Sequence, residues 1–163
     1  MSQGYNVLFL CTGNSARSIL AEAILNHKAG GRFHAYSAGS RPAGMVRPEA
    51  LQQLALAGIA IEGLRSKSWD EFAASHAPAM HFVFTVCDNA ANETCPFWPG
   101  HPVSAHWGIP DPAAVTGAPE AIARAFHEAY VSLDRRIDLF LSLPIATLSQ
   151  IDLQRELQGI GPS

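Results

Sequence analysis

Cys11-Thr12-Gly13-Asn14-Ser15-Ala16-Arg17-Ser18 is the stretch on which the reading of this chain turns. It follows the apolar run Val7-Leu8-Phe9-Leu10 and leads into an amphipathic segment, which predicts a tight loop between a buried strand and a helix. A loop so placed is suited to an anion, because its backbone N–H groups and the helix N-terminus face whatever sits in it. Gly13 and Asn14 are residue types that tolerate a positive φ. Arg17 adds a planar guanidinium able to grip two oxygens of a tetrahedral oxyanion. Cys11 at the loop floor is then a candidate nucleophile, its thiolate favoured by the same dipoles, with the Ser18 hydroxyl as a hydrogen-bond donor to it. The oxyanion-binding set is thus Thr12, Gly13, Asn14, Ser15, Ala16, Arg17 and Ser18.

With 163 residues, 48% of them apolar, the chain is long enough for one core, and residues 1–163 are read as a single catalytic domain with 145–163 as a C-terminal extension. A net charge of −3 without a Lys/Arg run argues against nucleic acid and anionic membrane surfaces as partners. No apolar stretch approaches the roughly 20 residues of a membrane span, and no leader pattern opens the chain, so the expected location is cytoplasmic. Three cysteines suggest redox or catalytic thiols rather than a disulfide framework. Their spacing, like that of the seven scattered histidines, lacks a zinc pattern, and no metal is expected.

Outward from the loop, strands and helices alternate. Helix is expected from about Ser18 to His27 with Leu20, Ala23, Ile24 and His27 on one stripe, and strand over Arg32–Ser37. A helix starting at Pro48 carries Leu51, Leu54 and Ala55 inward before Gly58, and Ser68-Trp69-Asp70-Glu71 has the spacing of a capping box. Strands follow at His81–Val86 and Val103–Ala105, then a long helix from Pro119 to Leu143 bearing Ile122, Phe126, Ala129, Leu133, Ile137 and Phe140, stopped by Pro144. Ser149 is positioned to cap a short terminal helix with Leu153 and Leu157 on one side and Gly159 after it, docked on the same domain or on a second copy. This pattern gives an α/β fold, a four-stranded parallel sheet with helices on both faces, and places Cys11, Ser37, Cys87 and the loop after Ala105 at the carboxyl ends of the strands, where ligands bind in such sheets.

Cys87 and Cys95 are separated by seven small or polar residues, a segment able to bring its ends together, so a thiol relay from Cys11 to Cys87 to Cys95 is chemically open. Asp111, before Pro112, is the candidate general acid.

The Cys-x5-Arg-Ser loop near the N-terminus resembles that of the low-molecular-weight protein tyrosine phosphatase superfamily. Together with Tyr36-Ser-Ala-Gly, Thr85-Val-Cys-Asp, Cys95-Pro and His106-Trp-Gly before Asp111-Pro112, the chain is similar over about residues 5–142 to the thioredoxin-type arsenate reductases of that superfamily. The resemblance implies a three-layer fold and reduction of arsenate to arsenite by Cys11, Cys87 and Cys95 in turn, with Arg17 and Asp111 assisting. It further implies no bound cofactor and an external reductant: thioredoxin, or else glutaredoxin or a low-molecular-weight thiol. The alternative is a phosphatase acting on phosphotyrosine or a small phosphate ester with Cys11, Arg17 and Asp111 alone. Two features favour arsenate: Ala113 stands where such phosphatases usually carry an aromatic residue after Asp-Pro, and Ala16 where they commonly have a second Cys. In reductases with a structural potassium ion, Asn14, Glu22, Ser37 and an Asp form the site. Here Lys67 matches that Asp, so its ammonium is expected to replace the ion, pair with Glu22 and steady Asn14. The Cys87–Cys95 interval is one residue longer than in the best-known members.

Overall fold

The computed structural model describes residues 4–73, 77–86 and 102–160. Four parallel strands form one sheet: β1 (Tyr5–Leu10), β2 (Phe33–Ala38), β3 (Phe82–Thr85) and β4 (Val103–His106), in the order β2-β1-β3-β4. β1 is central, pairing Val7 with Ala35 on one side and with Phe82 on the other. That explains its unbroken apolar run, since a parallel strand covered on both faces has no solvent side to make polar. Among the described residues five helices accompany the sheet: α1 (Arg17–Lys28), α2 (Pro48–Leu56), α3 (Asp70–Ala73), α4 (Pro119–Leu141) and α5 (Gln150–Ile160).

Alternate side chains of β1 serve two cores. Val7 and Phe9 join Leu20 and Ile24 of α1 with Leu133, Ile137 and Phe140 of α4. Leu8 and Leu10 pack on the opposite face with Phe72 of α3, Met80 and Val83. The expected three-layer arrangement is therefore present, with the larger core on the α1/α4 side. An aromatic stack fills its centre: Trp107 lies 3.9 Å from Phe84 between centroids at an interplanar angle of 19°, and Phe140 meets both edge-on.

Several local expectations need correction. His27 is exposed rather than on the buried stripe of α1, because Ala21 and Leu25 widen that stripe on its other side. In α2 the buried pair is Ala50 and Leu54, and Ala55 faces solvent. The capping box does not close: the Ser68 hydroxyl accepts from Asp70 N at 3.1 Å, but the Glu71 carboxylate turns away to Arg65 at 2.7 and 3.0 Å. A two-pronged guanidinium outcompetes a single backbone N–H for that carboxylate. Gly159 lies inside the last turn of α5, not after it.

α5 docks on this same chain. Leu153, Leu157 and Ile160 are buried, and the Leu157 carbonyl accepts from the Trp107 indole N–H at 2.9 Å. Two glutamines one turn apart, Gln154 and Gln158, then reach the outer edge of β4, the first donating to Ser104 O and the second accepting from His106 N at 3.2 Å. Side chains thereby take up backbone groups that an edge strand would otherwise present for pairing with another chain. Leu157→Ala should cost about 2–5 kcal/mol of unfolding free energy in urea denaturation, the range for emptying a buried leucine site. A loss below about 0.5 kcal/mol would mean that α5 does not stay docked.

Candidate active site

The Cys11–Ser18 loop is held from behind by its own carbonyls. Thr12 O accepts from Arg41 N, Gly13 O from Ala43 N and from the Ser66 hydroxyl, and Ser15 O from Arg47 N, the three backbone bonds all at 2.9 Å. Because a trans peptide sets N–H opposite to C=O, carbonyls turned outward at 12, 13 and 15 leave the amides of Gly13, Asn14 and Ala16 turned inward. α1 begins at once with Ala16 as its N-cap, which supplies no side-chain hydrogen bond, so the first N–H groups of the helix join the same concave face.

Asn14 makes this path possible. It is the one non-glycine residue with positive φ (46°) among the described residues and is completely buried. Its Nδ2 donates to Ser18 Oγ at 2.7 Å and its Oδ1 accepts from Lys67 N at 2.9 Å. Ser18 Oγ thus has its lone pair engaged and its proton free to point toward the loop floor. Gly39 seals the rear: a Cβ there would collide with Thr12 O and come within 2.8 Å of Cys11 O.

Cys11, Thr12, Gly13, Ser15, Ala16, Arg17 and Asp111 line one cavity of about 290 Å³. Cys11 is nearly buried at its base, 5% exposed. Arg17 donates from Nη1 to Ile109 O at 3.1 Å, and its Nη2 lies 3.5 Å from Asp111 Oδ2. The guanidinium Nε is buried and has no hydrogen-bond partner among the described residues, a donor suited to an oxyanion. Asp111 arrives from the other end of the sheet edge, fixed by Oδ1 accepting from Ala113 N at 2.9 Å at the start of a 3-10 turn, Pro112–Ala114. Its second oxygen faces Arg17, and its side chain is 41% exposed, open to proton exchange with solvent. The loop residues that line the cavity and Asp111, at least 94 positions away in sequence, are thus brought together. Cys87 and Cys95 lie outside the described residues. Val86, which precedes Cys87, donates from its amide to the carbonyl of Leu10, next to Cys11.

Behind the loop sits a second polar cluster. Ser37 donates to Glu22 Oε1 at 2.5 Å, and Lys67 Nζ is 3.8 Å from that oxygen, 3.5 Å from Ser37 Oγ and 2.8 Å from the Arg65 carbonyl. The pairing with Glu22 agrees with expectation. The contact with Asn14 does not, for it comes from the Lys67 backbone N–H rather than the ammonium. Burial raises the pKa of Glu22 above its ordinary value, against the opposing pull of the Ser37 hydrogen bond and the Lys67 and Arg65 charges. Burial likewise lowers that of Lys67, against the attraction of Glu22. The carbonyl anchors at 41–47, Ser66 and the Ile109 clamp leave no local mark in the residue pattern, since each depends on a neighbour distant in the chain.

Two outcomes are expected. Gly39→Ala should displace the Thr12 and Cys11 carbonyls, weaken phosphate or arsenate protection of Cys11 against alkylation by at least about tenfold, and lower stability by roughly 1–3 kcal/mol. A Glu22 pKa raised on folding contributes stability that is fully present below the unfolded value of about 4.5 and fades as pH rises through the folded value. The unfolding free energy of wild type minus that of Glu22→Gln should therefore grow as pH falls from 7 toward 4.5, by no more than about 1.4 kcal/mol per pH unit. Parallel urea-denaturation curves for the two proteins across that range would contradict it.

Comparison with known proteins matches this architecture. The family model for low molecular weight phosphotyrosine protein phosphatase matches residues 6–155. The arsenate reductase of Shouchella clausii is 34% identical over 134 residues, which are 82% of this chain and 93% of that protein. Among solved structures, the arsenate reductase of Archaeoglobus fulgidus has a TM-score of 0.59 at 26% identity, covering 81% of this chain and 98% of that one. The thioredoxin-dependent arsenate reductase of Corynebacterium glutamicum has a TM-score of 0.57 at 26% identity, with 85% of this chain matched to 64% of the longer protein. With its Cys-x5-Arg-Ser cradle, its parallel sheet and these relatives, the chain belongs to the low molecular weight phosphotyrosine protein phosphatase family, on the side of it occupied by arsenate reductases.

Proposed function

We propose that the chain is an arsenate reductase that works by a Cys11 to Cys87 to Cys95 relay. The observation carrying this reading is that Cys11, Arg17 and Asp111 share one cavity in a chain 34% identical, over 82% of its length, to an arsenate reductase. Arsenate sits against the amides of the loop and Arg17. Cys11 Sγ attacks arsenic while Asp111 donates the proton with which one oxygen departs as water. Cys87 thiolate next attacks Cys11 Sγ: the sulfur–sulfur bond forms, the sulfur–arsenic bond breaks, and its electron pair stays on arsenic, which leaves as arsenite. Cys95 attacks the Cys87 sulfur and frees Cys11, leaving a Cys87–Cys95 disulfide for an external reductant. That reductant is a thiol protein of the thioredoxin kind, or glutaredoxin or a small thiol, and no bound cofactor is required. A reduced, cytoplasmic setting suits the chemistry. Among the described residues no helix is long and apolar enough to cross a membrane.

Phosphate cannot accept the two electrons, so ester hydrolysis by Cys11, Arg17 and Asp111 is the alternative activity of the same pocket. Lys67, in this reading, takes the place a potassium ion holds in some relatives of this kind, since its ammonium already lies among Ser37, Glu22 and the Arg65 carbonyl.

Arsenite release should be abolished in Cys87→Ser, limited to at most one turnover in Cys95→Ser, and slowed about 10²- to 10⁴-fold in Asp111→Asn. Sustained arsenate turnover by both serine variants would remove the relay. A wild type that cleaves phosphate esters but yields no arsenite would assign the pocket to phosphatase chemistry. Exchanging potassium for sodium at constant ionic strength should leave turnover and melting temperature unchanged; a clear gain with potassium would contradict the role given to Lys67.

A further inference from the structure

Arg136 lies on α4 within the stripe that packs on the sheet, between Leu133 and Phe140, and is only 7% exposed. Its Nη1 donates to two successive carbonyls, those of Trp107 at 2.8 Å and Gly108 at 3.2 Å. The next carbonyl, that of Ile109, accepts from Arg17 at 3.1 Å, while Ile109 N donates to Val86 O at 3.2 Å. Three consecutive carbonyls of the strap leading from β4 to Asp111 are therefore held by two guanidinium groups, one from α4 and one from the anion cavity. Pro110 and Pro112 limit the backbone on either side of Asp111, so an orientation set at 107–109 passes to the carboxylate with little slack. Desolvating a guanidinium at a position that Leu or Met would fill with less penalty is unfavourable for packing alone, and charge-assisted bonds to a bent strap are the compensating gain.

We propose that Arg136 is a positioning residue: it holds the 107–109 strap so that Asp111 stands over the cavity facing Arg17. The proposal rests on the general-acid role given above to Asp111. It acts through the backbone, and Arg136 itself touches no reacting atom.

A double-mutant cycle separates this role from simple support of the fold. Arg136→Met keeps the length and apolar stem but removes the donors. In the wild-type background it should lower kcat for arsenite release about tenfold and move KM for arsenate by less than about threefold. In the Asp111→Asn background, where no general acid remains to be oriented, it should change kcat by less than about twofold. Equal losses in both backgrounds, or no loss in the first, would overturn the proposal. The same cycle read on phenyl phosphate hydrolysis keeps the two questions apart: wild type that hydrolyses the ester but releases no arsenite fails the functional reading, while additivity on the ester fails the role of Arg136. Should Arg136→Met not fold, Arg136→Lys, which keeps one donor but not the planar guanidinium, is read in the same cycle: a kcat loss of about twofold or more that disappears in the Asp111→Asn background supports the role, and no loss, or an equal loss in both backgrounds, overturns it.

Discussion

A single residue in a left-handed conformation, Asn14 at φ 46°, sets the course of the loop from which the rest of the site is built. For a side chain with a Cβ this conformation costs on the order of 1–2 kcal/mol. Two buried hydrogen bonds, from Asn14 to Ser18 and from Lys67 N to Asn14, each contribute about 1 kcal/mol and offset that cost. A glycine at position 14 would adopt the same φ without strain but would forfeit both bonds. With the kink in place, the carbonyls at 12, 13 and 15 are drawn outward to the 41–47 segment and the intervening amides converge inward. An oxyanion cradle is thus a by-product of peptide planarity once the backs of the peptides have been claimed.

Charges are distributed around that cradle in two tiers. In front, Arg17 and Asp111 face each other across the cavity. Behind, Lys67, Glu22 and Ser37 form a compact group linked to the loop through Asn14, with Lys67 8% exposed. Burial works against ionisation of both Glu22 and Lys67, so the pair persists through mutual attraction and the hydrogen bonds from and to its neighbours rather than through any intrinsic preference for the interior. The rear tier is bonded to the loop through Asn14, and the front tier lines the cavity. Ser37 of the rear tier is itself a residue of β2, and both tiers sit at the carboxyl ends of the strands, where parallel strands leave a crevice.

Much of this was legible in the residue pattern because it depends on local rules. The run Val7–Leu10, the 3.6-residue stripe of α4 and the Pro48 and Pro119 helix starts gave strand, helix and boundary to within a few residues. Cys11, Arg17 and Asp111, singled out by chemical type and spacing, line one cavity. What failed did so where two local rules competed or where the partner was remote. Glu71 had the position for a capping box, but Arg65 offered it two charge-assisted bonds. Ala55 and His27 fit their helical stripes, yet the neighbours packed against α2 and α1 chose other faces. Arg136 stood in plain view at an apolar position, and only the strap opposite it, 28 residues earlier, gives that charge a reason. Gln154 and Gln158 likewise acquire a role only through β4, whose edge they meet some 50 residues back in the chain.

In the proposed reaction an anion cradle presents arsenic to Cys11 and a second sulfur removes it. The most direct measurement incubates reduced Cys95→Ser protein with arsenate in the absence of any other thiol, alkylates what remains free, and maps cysteines by peptide mass spectrometry while counting arsenite. A Cys11–Cys87 disulfide with one arsenite per chain, and none when phosphate replaces arsenate, is the predicted result. Recovery of Cys11 and Cys87 both alkylated, with no arsenite formed, would contradict the account.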